Sequence, residues 1–333
     1  MTQPSKHLRA VERPNTGLGE RELLDALHAL NPPPDPAGLV PRFPWKMQVQ
    51  TFSRCNAACA MCPWPETKNE LDQGRMEETT FRALLQQSAG QGLERMSLFL
   101  HNEPLLDVRL SAWTRMAKDI LPETKLTIYT NGWLFTPEKA QELADAGMDE
   151  INVSVLAADA GLVEKYSPGT PLEKILGYLD GVSKLTEAGS LGGMKVSVAA
   201  LDLPGVMDSF APMEQRWADR GMPLYFAPVS NRAGNCEWGE GAGERRVVCQ
   251  RPFTKAYVLY DGRLILCNCD WRREIVLGNI RETPLAELWQ GEAYQALRTK
   301  LLREDLEEGF LCTACDYPYR SAEEADRLSS VEV

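Results

Sequence analysis

Apolar residues fall in short runs of strand length, and each run is followed by a stretch with the spacing of an amphipathic helix. The runs predict strands at Lys46–Phe52, Arg95–Leu100, Lys125–Tyr129, Glu150–Val155, Lys195–Ala199 and Leu224–Pro228. Helical patterns lie at Thr79–Ser88, Val108–Ile120, Pro137–Ala146, Leu172–Glu187 and Asp208–Arg220. Thr136 before Pro137 marks a helix start, and Gly90 and Gly147 mark stops. This rhythm implies an α/β fold of parallel strands joined by right-handed crossovers. The pattern alone leaves open whether the sheet is doubly wound or a closed or partial barrel. In either case ligands belong at the carboxyl ends of the strands.

From Arg251 the rhythm changes. Lys255–Tyr260 and Arg263–Cys267 read as a hairpin turning at Asp261–Gly262, followed by one helical stretch from Leu285 to Leu302. A short helix is expected at Glu20–Leu30, within a stretch that also holds Pro32, Pro33, Pro34 and Pro36. The expected organisation is an N-terminal extension over 1–44, a core over 45–235, a second domain over 236–320 and a tail over 321–333.

The 333 residues carry a net charge of −11, a balance that repels phosphate backbones and anionic lipid. No nucleic-acid or membrane partner is expected, and a cationic small-molecule substrate would suit the charge. No apolar run approaches the roughly 18–20 residues of a spanning helix, and the first 43 residues lack a signal-peptide core. A cytoplasmic location is therefore expected. Reducing cytosol disfavours disulfides, so nine cysteines point to metal ligation or catalysis.

Cys55, Cys59 and Cys62 form a C-x3-C-x2-C run directly after the first strand. Three thiolates on one loop can bind three corners of a cubane iron–sulfur cluster, leaving one iron open. A zinc site would want a fourth protein ligand. Farther on, Cys249, Cys267, Cys312 and Cys315 offer four thiolates from a hairpin and a later loop. Their spacing alone would serve a zinc ribbon or a second cluster.

The first cysteine run resembles the C-x3-C-x-aromatic-C motif of the radical S-adenosylmethionine (SAM) superfamily, with Met61 in the aromatic position. In that family the motif holds a [4Fe–4S] cluster whose open iron chelates SAM. Reductive cleavage of SAM then gives a radical that abstracts hydrogen from a substrate. His101-Asn102-Glu103-Pro104 is similar to the family's Gly-Gly-Glu-Pro segment, so the resemblance implies that Glu103 takes the methionine ammonium group. Asn131 and Ser154, at the ends of the third and fourth strands, match positions that hydrogen-bond SAM. Arg232, after the sixth strand, would bind a substrate or SAM carboxylate. The later cysteines, with Pro252, Asp270, Gly278 and Trp289, resemble the SPASM/Twitch extensions of that family. By that match Cys249, Cys267, Cys312 and Cys315 ligate one auxiliary [4Fe–4S] cluster.

The resemblance implies a partial (β/α)6 barrel with a small C-terminal Twitch domain, served by a reductant such as flavodoxin or ferredoxin. The implied substrate is a small sugar or aminocyclitol of an antibiotic pathway, either epimerised or dehydrogenated. Epimerisation needs a hydrogen-atom donor, for which the spare thiols Cys236 and Cys269 are the candidates. The rival readings are maturation of a ribosomal peptide and a non-catalytic iron–sulfur or zinc protein. The segment before the first strand is short for a peptide leader-binding domain, which counts against the maturase.

Overall fold

The computed structural model describes residues 20–29, 36, 38–238 and 247–317. Six strands occupy the predicted places: β1 (Lys46–Val49), β2 (Arg95–Ser97), β3 (Lys125–Thr130), β4 (Glu150–Ser154), β5 (Lys195–Leu201) and β6 (Leu224–Ala227). Each pairs in parallel with the next, giving the order β6-β5-β4-β3-β2-β1. The order never reverses. A doubly wound sheet needs a reversal, whereas right-handed crossovers in one direction put every helix on one face. The other face must then curl on itself. Since β6 does not pair with β1, the barrel is partial.

The helices are α1 (Glu20–His28), α2 (Trp64–Thr67), α3 (Glu78–Ser88), α4 (Leu110–Ile120), α5 (Pro137–Asp145), α6 (Ala160–Tyr166), α7 (Leu172–Glu187) and α8 (Val206–Asp219). In succession α3 packs on α4, α4 on α5 and α5 on α7, forming the outer layer. Helix α7 buries Leu172, Ile175, Leu179 and Val182, spaced to share one face. Each such side chain contributes roughly 1.5–3 kcal/mol of burial. Helix α5 starts as expected, with Thr136 Oγ1 accepting from Lys139 N at 3.1 Å and Pro137 in the first turn. Helix α6 escaped the sequence reading because seven residues are too few to establish a period.

β1 and β2 end three residues earlier than the apolar runs do. Beyond Val49 and Ser97 the chain leaves the ladder: Gln50 Nε2 donates to Leu100 O at 2.8 Å, tying the two departing segments together. The apolar run continues because these segments are buried, not because they remain strands.

The C-terminal region does not stand apart from the sheet. After α9 (Arg251–Thr254), β7 (Lys255–Val258) pairs in parallel with β1, Met47 facing Ala256. β8 (Arg263–Ile265) and β9 (Val276–Asn279) follow antiparallel, so one sheet of nine strands runs from β6 to β9. The expected hairpin is present, with Gly262 at φ 86° where its turn demands a left-handed residue. β9 is an addition, since its four residues include a glycine that weakens the strand signal. The expected single helix from Leu285 to Leu302 is two, α10 (Leu285–Gln290) and α11 (Glu292–Arg303). Gly291 is extended between them, and a Cβ there would lie 3.0 Å from Glu287 O. The N-terminal helix ends at His28, and the tail 321–333 lies outside the described residues.

Candidate active site

The carboxyl ends of the parallel strands enclose a cavity of about 1040 Å³, counting the space at its mouth. Its lining includes Cys55, Cys59 and Cys62 from the loop after β1, Glu103 after β2, Asn131 after β3, Ser154 from β4 and Arg232 after β6. Met61 lines it too. The fold thus brings all the residues expected around SAM to one place.

The cysteine loop is held by backbone contacts. Ala60 N donates to Tyr166 O at 2.8 Å, and Cys62 N to Cys59 O at 3.1 Å. Cys59 Sγ lies 3.4 Å from Ser167 Oγ, on the segment leaving α6. Burial pushes the Cys55 and Cys62 thiols up to about 12, and raises Cys59 as well. Buried thiols of this kind stay protonated until a metal centre displaces the proton.

Glu103 is buried and bonded on both oxygens. Oε1 accepts from Leu105 N at 3.0 Å and Thr130 Oγ1 at 2.7 Å; Oε2 accepts from Asn131 N at 2.7 Å. An ionised carboxylate offers about four acceptor sites, so one remains for a cation. Burial pushes its carboxyl up to about 7, against the opposing effect of these donors. A bound ammonium group would offset that burial.

Asn131 serves the loop as well as the cavity. Its Nδ2 donates to Asn56 Oδ1 at 2.7 Å and lies 3.9 Å from Cys55 Sγ, while its Oδ1 accepts from Trp133 N at 3.1 Å. Glu103, Asn131 and the cysteine loop are therefore one connected unit. Gly132, at φ 80°, turns the chain out of β3; a Cβ there would meet Val153 Cγ1 at 2.9 Å.

A second cavity, of about 1090 Å³, is lined by Cys249, Cys267, Cys312 and Cys315 together with Cys269 and Arg251. Cys269 N donates to Cys267 Sγ at 3.4 Å, and Arg251 Nη1 donates to Cys269 Sγ at 3.1 Å. Contacts with Cys267 and Cys315, then the charge of Arg251, hold Cys269 well below the usual thiol range. Neither spare thiol lines the first cavity. Cys269 belongs to the second, and Cys236, whose Sγ lies 3.5 Å from Ser230 O, lines neither.

Both donor sets suit iron–sulfur clusters. Sulfur is the ligand throughout, and only cysteines of the first loop line the first cavity, leaving room there for a further ligand. Among the described residues no three His, Cys, Asp or Glu side chains converge on a single-ion site.

The segment between the cavities carries both linings. Asn268 lines the first, while its neighbours Cys267 and Cys269 line the second. After β6, Arg232 lines the first and Ala233 the second, with φ of 52° and 59°. This loop is fastened to the last cysteines by Asp316, which accepts from Ser230 Oγ at 2.8 Å and Asn231 N at 3.0 Å.

Sequence reasoning missed Gln48, His101, Asn102, Asn268 and Trp271 as lining residues. His101 and Asn102 were noted only as replacements for glycines. Gln48 carried no distinct signal, since it alternates with Met47 and Val49 in a strand that also holds Lys46.

Residues 49–208 match the family model of the radical SAM superfamily, and residues 249–316 match an iron–sulfur cluster-binding domain. The S-adenosyl-L-methionine-dependent 2-deoxy-scyllo-inosamine dehydrogenase of Niallia circulans is 23% identical over 271 residues, 81% of this chain and 92% of the relative. The GTP 3',8-cyclase of Synechococcus sp. (strain CC9902) is 31% identical over 202 residues, but the match spans 56% of this chain and 57% of the relative. The solved structure of BtrN with AdoMet and 2-DOIA aligns with a TM-score of 0.58 at 21% identity, covering 82% of this chain and 92% of that one. Streptococcus suis SuiB bound to S-adenosylmethionine aligns with a TM-score of 0.64 at 14% identity, covering 83% of this chain and 71% of that one.

Proposed function

The chain belongs to the radical SAM superfamily and carries a C-terminal iron–sulfur cluster-binding domain, and from that membership we propose that it dehydrogenates a secondary alcohol of a small aminocyclitol. When bound, SAM at a [4Fe–4S] cluster supplies hydrogen-atom abstraction, and a second cluster accepts one electron. Converting a CH–OH carbon to a ketone removes one hydrogen atom and one electron, which these two supplies would take, and one proton, which passes to water.

On this reading the chain's own residues bind and orient. Cys55, Cys59 and Cys62 hold the first cluster, Glu103 holds the ammonium group of SAM, and Asn131 braces both. Met61 packs beside the cofactor, and Ser154 and Arg232 offer it polar contacts. Cys249, Cys267, Cys312 and Cys315 hold the second cluster, with Cys269 as a fifth thiol at that cavity. The division between a core ending near residue 235 and an auxiliary unit beginning at 236 belongs to the same proposal. So does a flavodoxin- or ferredoxin-like protein as the electron source. No helix among the described residues is long and apolar enough to cross a membrane.

The observation that carries dehydrogenation over epimerisation is the absence of Cys236 and Cys269 from the lining of the first cavity. Epimerisation needs a hydrogen donor at the substrate, whereas electron loss needs only proximity to the second cavity, which Asn268 supplies. A nucleoside triphosphate is disfavoured, because Arg232 is the one Arg or Lys among the described residues lining the cavity. The test is turnover of reconstituted, reduced protein with SAM and 2-deoxy-scyllo-inosamine in deuterated water. The expected result is a ketone and equimolar 5′-deoxyadenosine; an inverted alcohol carrying one solvent deuterium would overturn it.

A further inference from the structure

Four buried polar atoms on residues lining the first cavity have no hydrogen-bond partner among the described residues: Gln48 Oε1, His101 Nδ1, Asn102 Nδ2 and Trp271 Nε1. All four side chains belong to residues more than nine-tenths buried. An unsatisfied buried group costs roughly 1–3 kcal/mol, so four around one cavity imply a ligand that repays them.

The chemical sense of Asn102 and His101 is fixed by the bonds their other atoms make. Asn102 Oδ1 accepts from Leu100 N at 2.8 Å, so its Nδ2 is the free end, and a donor. His101 Nε2 lies 2.8 Å from Asn268 O, and a carbonyl only accepts, so Nε2 carries the proton. Burial holds the ring neutral, pushing it down to about 4, which leaves Nδ1 a bare acceptor. Trp271 Nε1 can only donate and Gln48 Oε1 only accept. Two donors and two acceptors suit hydroxyl groups, which do both. A phosphate would want donors throughout, and an ammonium group acceptors throughout.

Position separates this set from Glu103, to which the ammonium group of SAM is assigned. Glu103 is bonded toward β3, through Thr130 and Asn131, whereas His101 faces the β8–β9 segment. There its ring stacks on Trp271 with centroids 4.1 Å apart and planes 22° from parallel. Successive side chains on extended backbone point to opposite sides. His101 sits at φ 53°, and with that left-handed residue two neighbours line one cavity. A non-glycine residue in this region costs roughly 1–2 kcal/mol, a strain that concentrates at functional sites.

We propose that Gln48, His101, Asn102 and Trp271 form a hydroxyl-recognition subsite for a polyhydroxylated cyclic substrate. It rests on the reading of the cavity as that of an enzyme acting on a small cyclic alcohol, and adds to it the residues that choose the substrate.

The test measures dissociation constants by titration calorimetry on anaerobically reconstituted holoenzyme, for SAM alone and for 2-deoxy-scyllo-inosamine with SAM present. The variants are His101→Gly, which fits the left-handed backbone, Asn102→Ala, and Trp271→Phe, which keeps a ring to stack and removes only the donor. The expected result is aminocyclitol affinity about tenfold weaker in each, one hydrogen bond's worth, with SAM affinity and iron content unchanged. Cyclitol analogues lacking a single hydroxyl give a second readout: one of them should bind wild type and Trp271→Phe equally. Unchanged aminocyclitol affinity in the three variants, or a loss confined to SAM, overturns the subsite and leaves the dehydrogenase reading standing. Wild-type protein that binds SAM but no cyclitol overturns both.

Discussion

Arg251 and Cys269 meet in the second cavity, the guanidinium Nη1 donating to Sγ at 3.1 Å, with the arginine fully buried. The same guanidinium stacks over the Tyr317 ring at 4.8 Å, so its place is set from two sides. A buried cation bonded to sulfur stabilises extra negative charge there, which makes a cluster easier to reduce.

Arg251→Met should therefore lower the reduction potential of one of two clusters, read by redox titration with electron paramagnetic resonance. A potential unchanged in both clusters would show that the cation acts only on folding. Cys269→Ala tests ligation separately: with four other thiols present, iron should stay at roughly eight per chain.

Replacing Cys55, Cys59 and Cys62 together by alanine should halve the iron and abolish 5′-deoxyadenosine formation, while the second cluster persists. Iron and sulfide assays read the first outcome and chromatography the second. Continued SAM cleavage would remove the assignment of this loop.

Glu103 makes SAM binding depend on pH. Its carboxyl is raised to about 7 by burial, so below that value it is neutral and a cation must displace its proton. SAM affinity should fall as pH drops through about 7, approaching tenfold per unit. Glu103→Gln should weaken binding and flatten the profile. For the ligand-free protein the sign is reversed: a raised acid favours the protonated fold. Its contribution to stability is full below about 4.5 and is lost as pH rises through about 7. Thermal melts with and without SAM across pH 5–8 should diverge in this way.

Arg298, on α11, holds the C-terminal unit together. Its Nε donates to Pro252 O at 2.8 Å and Nη1 to Trp289 O at 2.7 Å, and its guanidinium lies over the Trp289 ring at 4.2 Å. Arg298→Ala orphans two carbonyls and opens a cavity, and should cost about 3 kcal/mol, read as a lower melting temperature.

Much of this protein was legible in its residues because the signals are local. Strand and helix periods placed six strands and the main helices, since alternation and helical spacing are properties of a few consecutive residues. The first cysteine loop and the turn at Asp261–Gly262 were likewise visible, because a loop of ligands or a turn is written contiguously, whereas Glu103 and the second cysteine group were read through the family resemblance. Whether the sheet was doubly wound or a partial barrel was not legible in the periodicity, since strand order depends on which distant strands pair; the family resemblance alone implied the partial barrel, and the strand order bears it out. Nor was the pairing of β7 with β1, which joins residues about two hundred positions apart and turns the expected appendage into an extension of the core sheet. Shorter separations hid the role of Cys269: spacing beside Cys267 left it a spare thiol, and only convergence with Arg251 and Cys315, from other elements, places it at the second cavity. His101 and Trp271 meet from segments far apart in the chain, so no window of sequence could reveal that their unpartnered nitrogens belong to one cavity.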